Sequence, residues 1–237
     1  YNTHYLGFNA NMLANEMYLD SADIRKNIVS LAKMLGYTPS SVRSPMATID
    51  LTINDATGAS VSIPKGASFN STVDGTTYQF ITNSATTISP LDGIYKASDL
   101  KIYEGTHIVF KYTVDTTDPD QRFIIPSNLV DTTTLNIRVQ TSLSDTSAQT
   151  YVLANGLSEI ESTSKVFFLQ EVEDGKFEVT FGDGIMGNAL VDGNIVIMQY
   201  IVTNVDAANG ASSFTATSSI SGFSDLSIVV KSNASGG

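Results

Sequence analysis

Cysteine and tryptophan are both absent from the 237 residues, and histidine occurs twice. Without cysteine there are no disulfides, no thiol nucleophile and no thiolate metal site, as suits a reducing compartment. Without tryptophan a sugar-stacking platform loses its best side chain. Basic residues are also scarce: 13 Lys and Arg against 24 Asp and Glu leave a formal charge of −11. Such a chain repels phosphate backbones and anionic membrane surfaces, which sets both aside as partners. No apolar run approaches the roughly 20 residues of a membrane-spanning helix.

What is present reads as a folded chain, with 42% hydrophobic and 16% charged residues. Its first 36 residues predict two helices. In the second, Ile24, Ile28, Leu31 and Leu35 share one face, Asp20 is the expected N-cap with Asp23 three residues on, and Gly36 offers a left-handed C′ position before Pro39. The first helix carries two apolar stripes, Leu6, Ala10, Leu13 and Met17, and Tyr1, Tyr5, Phe8 and Met12. Between them runs a polar strip of Asn2, Asn9 and Glu16. One stripe can pack on the second helix. The other needs a further neighbour, supplied either by the chain's own β-rich part or by helices of other chains.

From about residue 47 the apolar period changes to two, as in Ile49-x-Leu51-x-Ile53. Ile108 to Val114, Leu135 to Val139 and Phe177 to Phe181 repeat the pattern. The dipeptides Asp74-Gly75, Asp92-Gly93, Asp174-Gly175 and Asp192-Gly193 supply turns, the clearest hairpin being Phe167 to Phe181. Ile195 to Val202 is almost wholly apolar and predicts a central strand covered on both faces. Leu153 to Ile160 reads as a short helix or a loop. Thr203 to Phe223, rich in small residues, reads as a loosely packed extended arm before a last strand at Leu226 to Val230. The fold class expected is α+β: a two-helix head over residues 1–45, a mainly antiparallel β-rich body over 46–205, and an arm with a terminal strand over 206–237. The opening at Tyr1 and the Ser235-Gly236-Gly237 end read as those of a piece cut from a longer protein.

Chemistry-bearing patterns are few. Gly182-Asp183-Gly184-Ile185-Met186-Gly187 spells G-x-G-x-x-G, but a dinucleotide site needs a helix directly after it, and here the chain runs into another strand. His4 and His107 lack companions at metal or triad spacing. Asp115, Asp118 and Asp120 cluster without EF-hand spacing, as a solvated loop does. Glu171 and Asp183 are the carboxylates a hydrolase reading would use. Arg25, Lys26, Lys33 and Arg43 gather positive charge at the front of an acidic chain, either as a solvated helix face or as a docking patch for an acidic partner. No catalytic, cofactor or metal residues are assigned, and no enzyme activity is expected.

Several stretches in order carry a family resemblance. Leu13-Ala14-Asn15-Glu16, Leu19-Asp20 and Leu31 to Pro39 resemble the opening of baseplate J-like proteins. Ile63-Pro64-Lys65-Gly66 is similar to that family's Ile-Pro-x-Gly landmark. Phe181-Gly182-Asp183-Gly184, with Gly187 and then Tyr200, is similar to its late Phe-Gly-Asp-Gly element. The uncharged Ile185-Met186-Gly187-Asn188 departs from the basic residues often found there. The resemblance spans roughly residues 5 to 205 and is strongest, through Tyr1-Asn2-Thr3 and the first helix, to wedge-type members from contractile-tailed phages. It implies a structural scaffold of a tail baseplate, assembled in the host cytoplasm and carried in the virion. Its implied partners are other wedge proteins and a second copy of itself, with no nucleic acid, membrane, cofactor or small-molecule substrate. The expected partner interface combines the apolar stripe Tyr1, Tyr5, Phe8 and Met12 with the basic residues Arg25, Lys26 and Lys33, and the bundle that the resemblance implies would give the stripe its neighbour. A secreted or surface β-rich adhesin or carbohydrate-binding module is the alternative, one that leaves the apolar helix pair without a purpose.

Overall fold

The computed structural model describes residues 2–18, 20–34, 37, 39–154 and 160–237. Among these residues two helices precede an array of strands: α1 (Asn2–Asn15), α2 (Arg25–Met34), β1 (Met46–Ile53), β2 (Val61–Ile63), β3 (Ser68–Val73), β4 (Thr76–Thr82), β5 (Thr86–Ile88), β6 (Tyr95–Glu104), β7 (Thr106–Thr113), β8 (Phe123–Ile124), β9 (Val130–Gln140), β10 (Ala148–Leu153), β11 (Val166–Glu171), β12 (Phe177–Phe181), β13 (Ile195–Val202), β14 (Thr215–Ala216) and β15 (Leu226–Ser235). The class is α+β, with a mainly antiparallel β-rich body. Two compact units form. One gathers Tyr1–Ser40, Val114–Asn128 and Tyr151–Asp192; the other gathers Ser41–Thr113, Leu129–Thr150 and Gly193–Gly237.

The larger unit is built on a six-stranded sheet of order β14-β3-β4-β6-β1-β15. Along β1, Ala47, Ile49, Leu51 and Ile53 are fully buried at the period-two positions the sequence predicts. They join Phe69, Phe80, Ile102 and Phe214 in one core. Each such side chain contributes on the order of 1.5–3 kcal/mol by leaving water. On the opposite face Asp50 is held by Lys96 at 2.7 Å and Lys231 at 3.5 Å. The same unit carries β13 between β7 and β9, antiparallel to both. Val196, Met198 and Ile201 are fully buried, as the continuous apolar run requires. Gly105, at φ +123°, turns β6 into β7 where a Cβ would lie 2.3 Å from the Val202 carbonyl oxygen.

The segment after β13 departs from the expected loose arm. Ala208, Ala211, Phe214 and Ile220 are buried, and the Phe214 ring meets Phe80 edge-on at 4.9 Å. Small residues let this chain lie close against the sheet, so a sparse apolar count does not mean sparse packing. The last strand also runs further than expected, to Ser235.

In the smaller unit β11 and β12 form the expected hairpin, pairing Phe167 with Phe181 and Glu171 with Phe177. Asp174 and Gly175 both take positive φ at its tip. β12 pairs with β8, while β10 joins β11 in parallel at Val152 and Leu153. Helix α2 begins at Arg25 and is not capped by Asp20. Instead the Glu16 carboxylate accepts the Asp23 and Ile24 N–H groups at 3.0 and 3.3 Å and the Asn27 Nδ2 at 2.7 Å. A longer side chain from the preceding turn reaches the positive end of the helix that Asp20 was expected to serve. These bonds, Asn27 foremost, hold the Glu16 carboxyl below its ordinary value. The buried face of α2 is also shifted, to Val29 and Ala32, leaving Ile28 and Leu31 half-buried and Ile24 exposed. Leu35, Gly36 and residues 155–159 of the Leu153–Ile160 stretch lie outside the described residues.

Candidate functional site

Helix α1 presents large apolar side chains to solvent. An α-helix satisfies its own main-chain groups, so it can present side chains without a neighbour. Between His4 and Tyr18 the two half-buried positions are Asn9 and Glu16, the polar strip. The apolar stripes face water: Phe8 is 67% exposed, Leu13 70% and Met12 49%, with Tyr5, Leu6, Met17 and Tyr18 similarly open. The stripe expected to pack on α2 does not do so. The helix is inverted relative to an ordinary surface helix, whose apolar side lies inward. Contiguous exposed apolar surface of this kind marks interaction sites in folded proteins.

Of the other residues assigned to an interface, Tyr1 lies outside the described residues, as do the side chains of Lys26 and Lys33. Arg25 is described, and it is engaged inside the smaller unit. Its Nε and Nη2 donate to Glu171 Oε1 at 3.2 and 3.1 Å, and Nη2 to Oε2 at 3.0 Å. Glu171 is 2% exposed. The pair therefore pins α2 to the β11–β12 hairpin. A second buried carboxylate, Glu178, receives Arg122 at 2.8 Å on each oxygen and Gln170 at 3.0 Å.

The remaining sequence motifs have local explanations. Gly182 lies where a Cβ would meet the Gly187 carbonyl carbon at 2.2 Å, and Gly184 and Gly187 both take φ +88°. Asp183 Oδ1 accepts the Ile185 and Met186 N–H groups at 2.9 Å, which lower its pKa. The glycine motif is thus a tight turn leading through Asn188 toward β13, with Ile185 at its exposed tip. Asp115 Oδ1 accepts the Thr117 N–H and hydroxyl, and Asp118 Oδ1 the Asp120 N–H. Among the described residues no group of three His, Asp or Glu side chains is placed to hold a metal. His4 is exposed on α1. His107 lies on β7 with Nε2 buried and no hydrogen-bond partner among the described residues; burial, then the charge of Lys65, pushes its pKa down.

Two features escaped the sequence reading. Glu104, 1% exposed at the end of β6, accepts the Thr203 hydroxyl at 2.7 Å, the Asn204 N–H at 3.0 Å and the Asn204 Nδ2 at 2.7 Å. It borders an open cleft of about 510 Å³ with Thr76, Tyr78, Gln79, Thr106 and Asn204. Asp131 likewise accepts the Ser44 N–H at 2.9 Å and the Thr133 hydroxyl at 2.6 Å. An acidic residue in an apolar alternation is the one signal available, and it does not distinguish an inward carboxylate from an outward one.

No family model matches the chain. Among curated proteins it is similar to the baseplate wedge protein gp6 of Enterobacteria phage T4, at 24% identity over 247 aligned positions and 96% of this chain. The chain spans about a third (36%) of that relative's length. The likeness relates it to baseplate proteins without assigning it to a family.

Proposed function

We propose that this chain is a structural component of the wedge of a contractile phage tail baseplate, of the baseplate J-like kind, acting by binding and not by turnover. The observation that carries the reading is α1 and the turn after it, where Asn9 and Glu16 are half-buried while the large apolar side chains from Tyr5 to Met17 stand in water. A lone helix of 14 residues is marginal in water. Its apolar surface becomes useful when partner helices cover it, at roughly 25 cal/mol per Å² buried. The proposed surface is Tyr1, Tyr5, Phe8 and Met12, with Leu6, Leu13 and Met17 on the adjoining stripe. Arg25, Lys26 and Lys33 supply basic positions of the head, Arg25 while anchored to Glu171. The partners in this reading are other wedge subunits and a second copy of the chain, gathered in the host cytoplasm and retained in the virion tail. The likeness to a baseplate wedge protein supports it, as does the order of the sequence landmarks.

Antibodies against this chain, applied to intact tailed particles and imaged by electron microscopy, test the reading. Label at the tail end distal to the head is expected. Unlabelled particles, with the antigen soluble or on cell surfaces, would overturn it in favour of the adhesin alternative.

A further inference from the structure

β15 closes one end of the six-stranded sheet, and among the described residues its outer edge is open. The Asp225 carbonyl accepts the Asn54 N–H at 2.8 Å, so the main-chain groups of Asp225, Ser227 and Val229 point toward β1. Those of Leu226, Ile228 and Val230 consequently point away from it. Among the described residues no segment pairs with these three. The open stretch ends at Ala234, whose N–H donates to the Ala211 carbonyl at 2.9 Å and whose carbonyl accepts the Gly210 N–H at 2.8 Å. Edge strands are usually blunted by proline, by charge or by a bulge. Here no proline occurs from Asp225 to Ser235, Lys231 is the single charge of β15, and the register shift on the β1 side comes only after Val230, at Lys231, so that Leu226 to Val230 run without a bulge. Leu226, Ile228 and Val230 lie half-buried against the core, which is incomplete at this edge.

We infer that this edge takes the same strand from a second copy of the chain, antiparallel, about a two-fold axis at Ile228. In that register Leu226 meets Val230, Ile228 meets its own counterpart, and each outward N–H and C=O finds a partner. The core faces of the two sheets fall on one side and become continuous. Asp225 then stands opposite Lys231 twice, at non-hydrogen-bonded positions, where facing side chains approach most closely. Moving the axis one residue either way sets Lys231 against Phe223 or Ser227 and loses both ion pairs. Charge complementarity thus selects the self-pairing and its register together. At present Lys231 has a 52% exposed side chain and a long contact to Asp50, while Asp225 accepts Asn54 Nδ2 at 3.0 Å. Neither arrangement blocks the edge. The inference rests on the assembly reading for the expectation that copies meet, and on this edge for where they meet.

Sedimentation velocity of the 237-residue chain, at about 0.15 M salt to screen the repulsion between two acidic copies, tests it. A concentration-dependent dimer is expected. Lys231→Asp should raise its dissociation constant about tenfold or more, by turning two attractions into repulsions. The swap Asp225→Lys with Lys231→Asp should restore it. A chain monomeric at every concentration, or a dimer indifferent to Lys231→Asp, would overturn the inference. The absence of cysteine permits a second measurement that does not depend on the charge variants folding. Under mild oxidation a mixture of Ser227→Cys and Val229→Cys chains should form the mixed disulfide faster than either forms its own; equal rates would overturn the register. A dimer lost on Phe8→Asp but untouched by Lys231→Asp places the contact on α1 and excludes β15. Tail labelling that survives loss of the β15 dimer leaves the baseplate reading standing on its own.

Discussion

Helix α1 and strand β13 are both written in apolar residues on more than one face, and the fold treats them in opposite ways. β13 is flanked by β7 and β9 and nearly all its side chains are buried. α1 turns Tyr5, Leu6, Phe8, Met12 and Leu13 to solvent, and Met17 in the turn after it is as open. The difference lies in where each element finds its hydrogen bonds. A strand's main chain is satisfied only by neighbours, so an apolar strand is drawn into a sheet and covered there. A helix satisfies its own main chain, so its apolar side chains can stand in water until a partner arrives. Hydrophobicity alone therefore does not separate buried from exposed side chains; the kind of element that carries it matters as well.

Truncation at each element breaks the comparison most directly. Met198→Ala in β13, with no room to relax, is expected to cost about 2–5 kcal/mol, read as a lower urea midpoint. An unchanged midpoint would mean that β13 is not the packed centre of its sheet. Arg25→Ala comes next. It takes the Arg25 guanidinium away from the buried Glu171 carboxylate, a loss of about 1–3 kcal/mol, part of which Arg25→Lys should recover. Faster amide exchange along α2 would locate the effect, and equal exchange in both variants would remove Arg25 as the anchor of that helix.

A smaller effect follows from pH. Asp50 is held down to about 2, chiefly by Lys96 and then by the Asp99 N–H and Lys231. Its folded value lies below the ordinary 3.8, so its contribution is complete above that value and is lost as pH falls toward 2. Asp50→Asn should flatten the fall in stability across that window, as followed by acid titration of the near-ultraviolet signal. An identical titration in the variant would assign the acid sensitivity elsewhere. The smallest effect on stability belongs to α1: Phe8→Ser should change it by no more than about 0.5 kcal/mol. The same variant should fail to enter tail particles. A destabilised chain, or normal incorporation, would erase the contrast between α1 and β13.

Much of the β architecture was legible in advance because alternation is a local property. The strands at Ile49, Ile137, Phe177 and Ile195, and the Asp174-Gly175 turn, follow from residues that are near neighbours in sequence. The cap of α2 was not legible, since Glu16 serves it from seven and eight residues away. The packing of Ala208 and Ala211 escaped for a different reason: a small side chain has no apolar signature of its own, and its burial depends on what closes over it. At the candidate interface, the two stripes of α1 were visible and their direction was not. Either stripe had an apolar use, and it is Asn9 and Glu16 that turn inward.

The sequence by itself determined the change from helical to alternating period, the absence of thiol chemistry, the acidic net charge, and the likeness to a baseplate protein. Each of these depends on composition or on neighbours within a few residues. Only the tertiary structure decided that Arg25 belongs to Glu171, 146 residues away, and that Glu104 is buried against Thr203 and Asn204. It also decided that β15 ends a sheet, with no described segment paired to its outer edge. Ion pairs, buried carboxylates and sheet edges are relations between distant segments, and burial depends on every neighbour at once. No window of sequence contains all the atoms that set them.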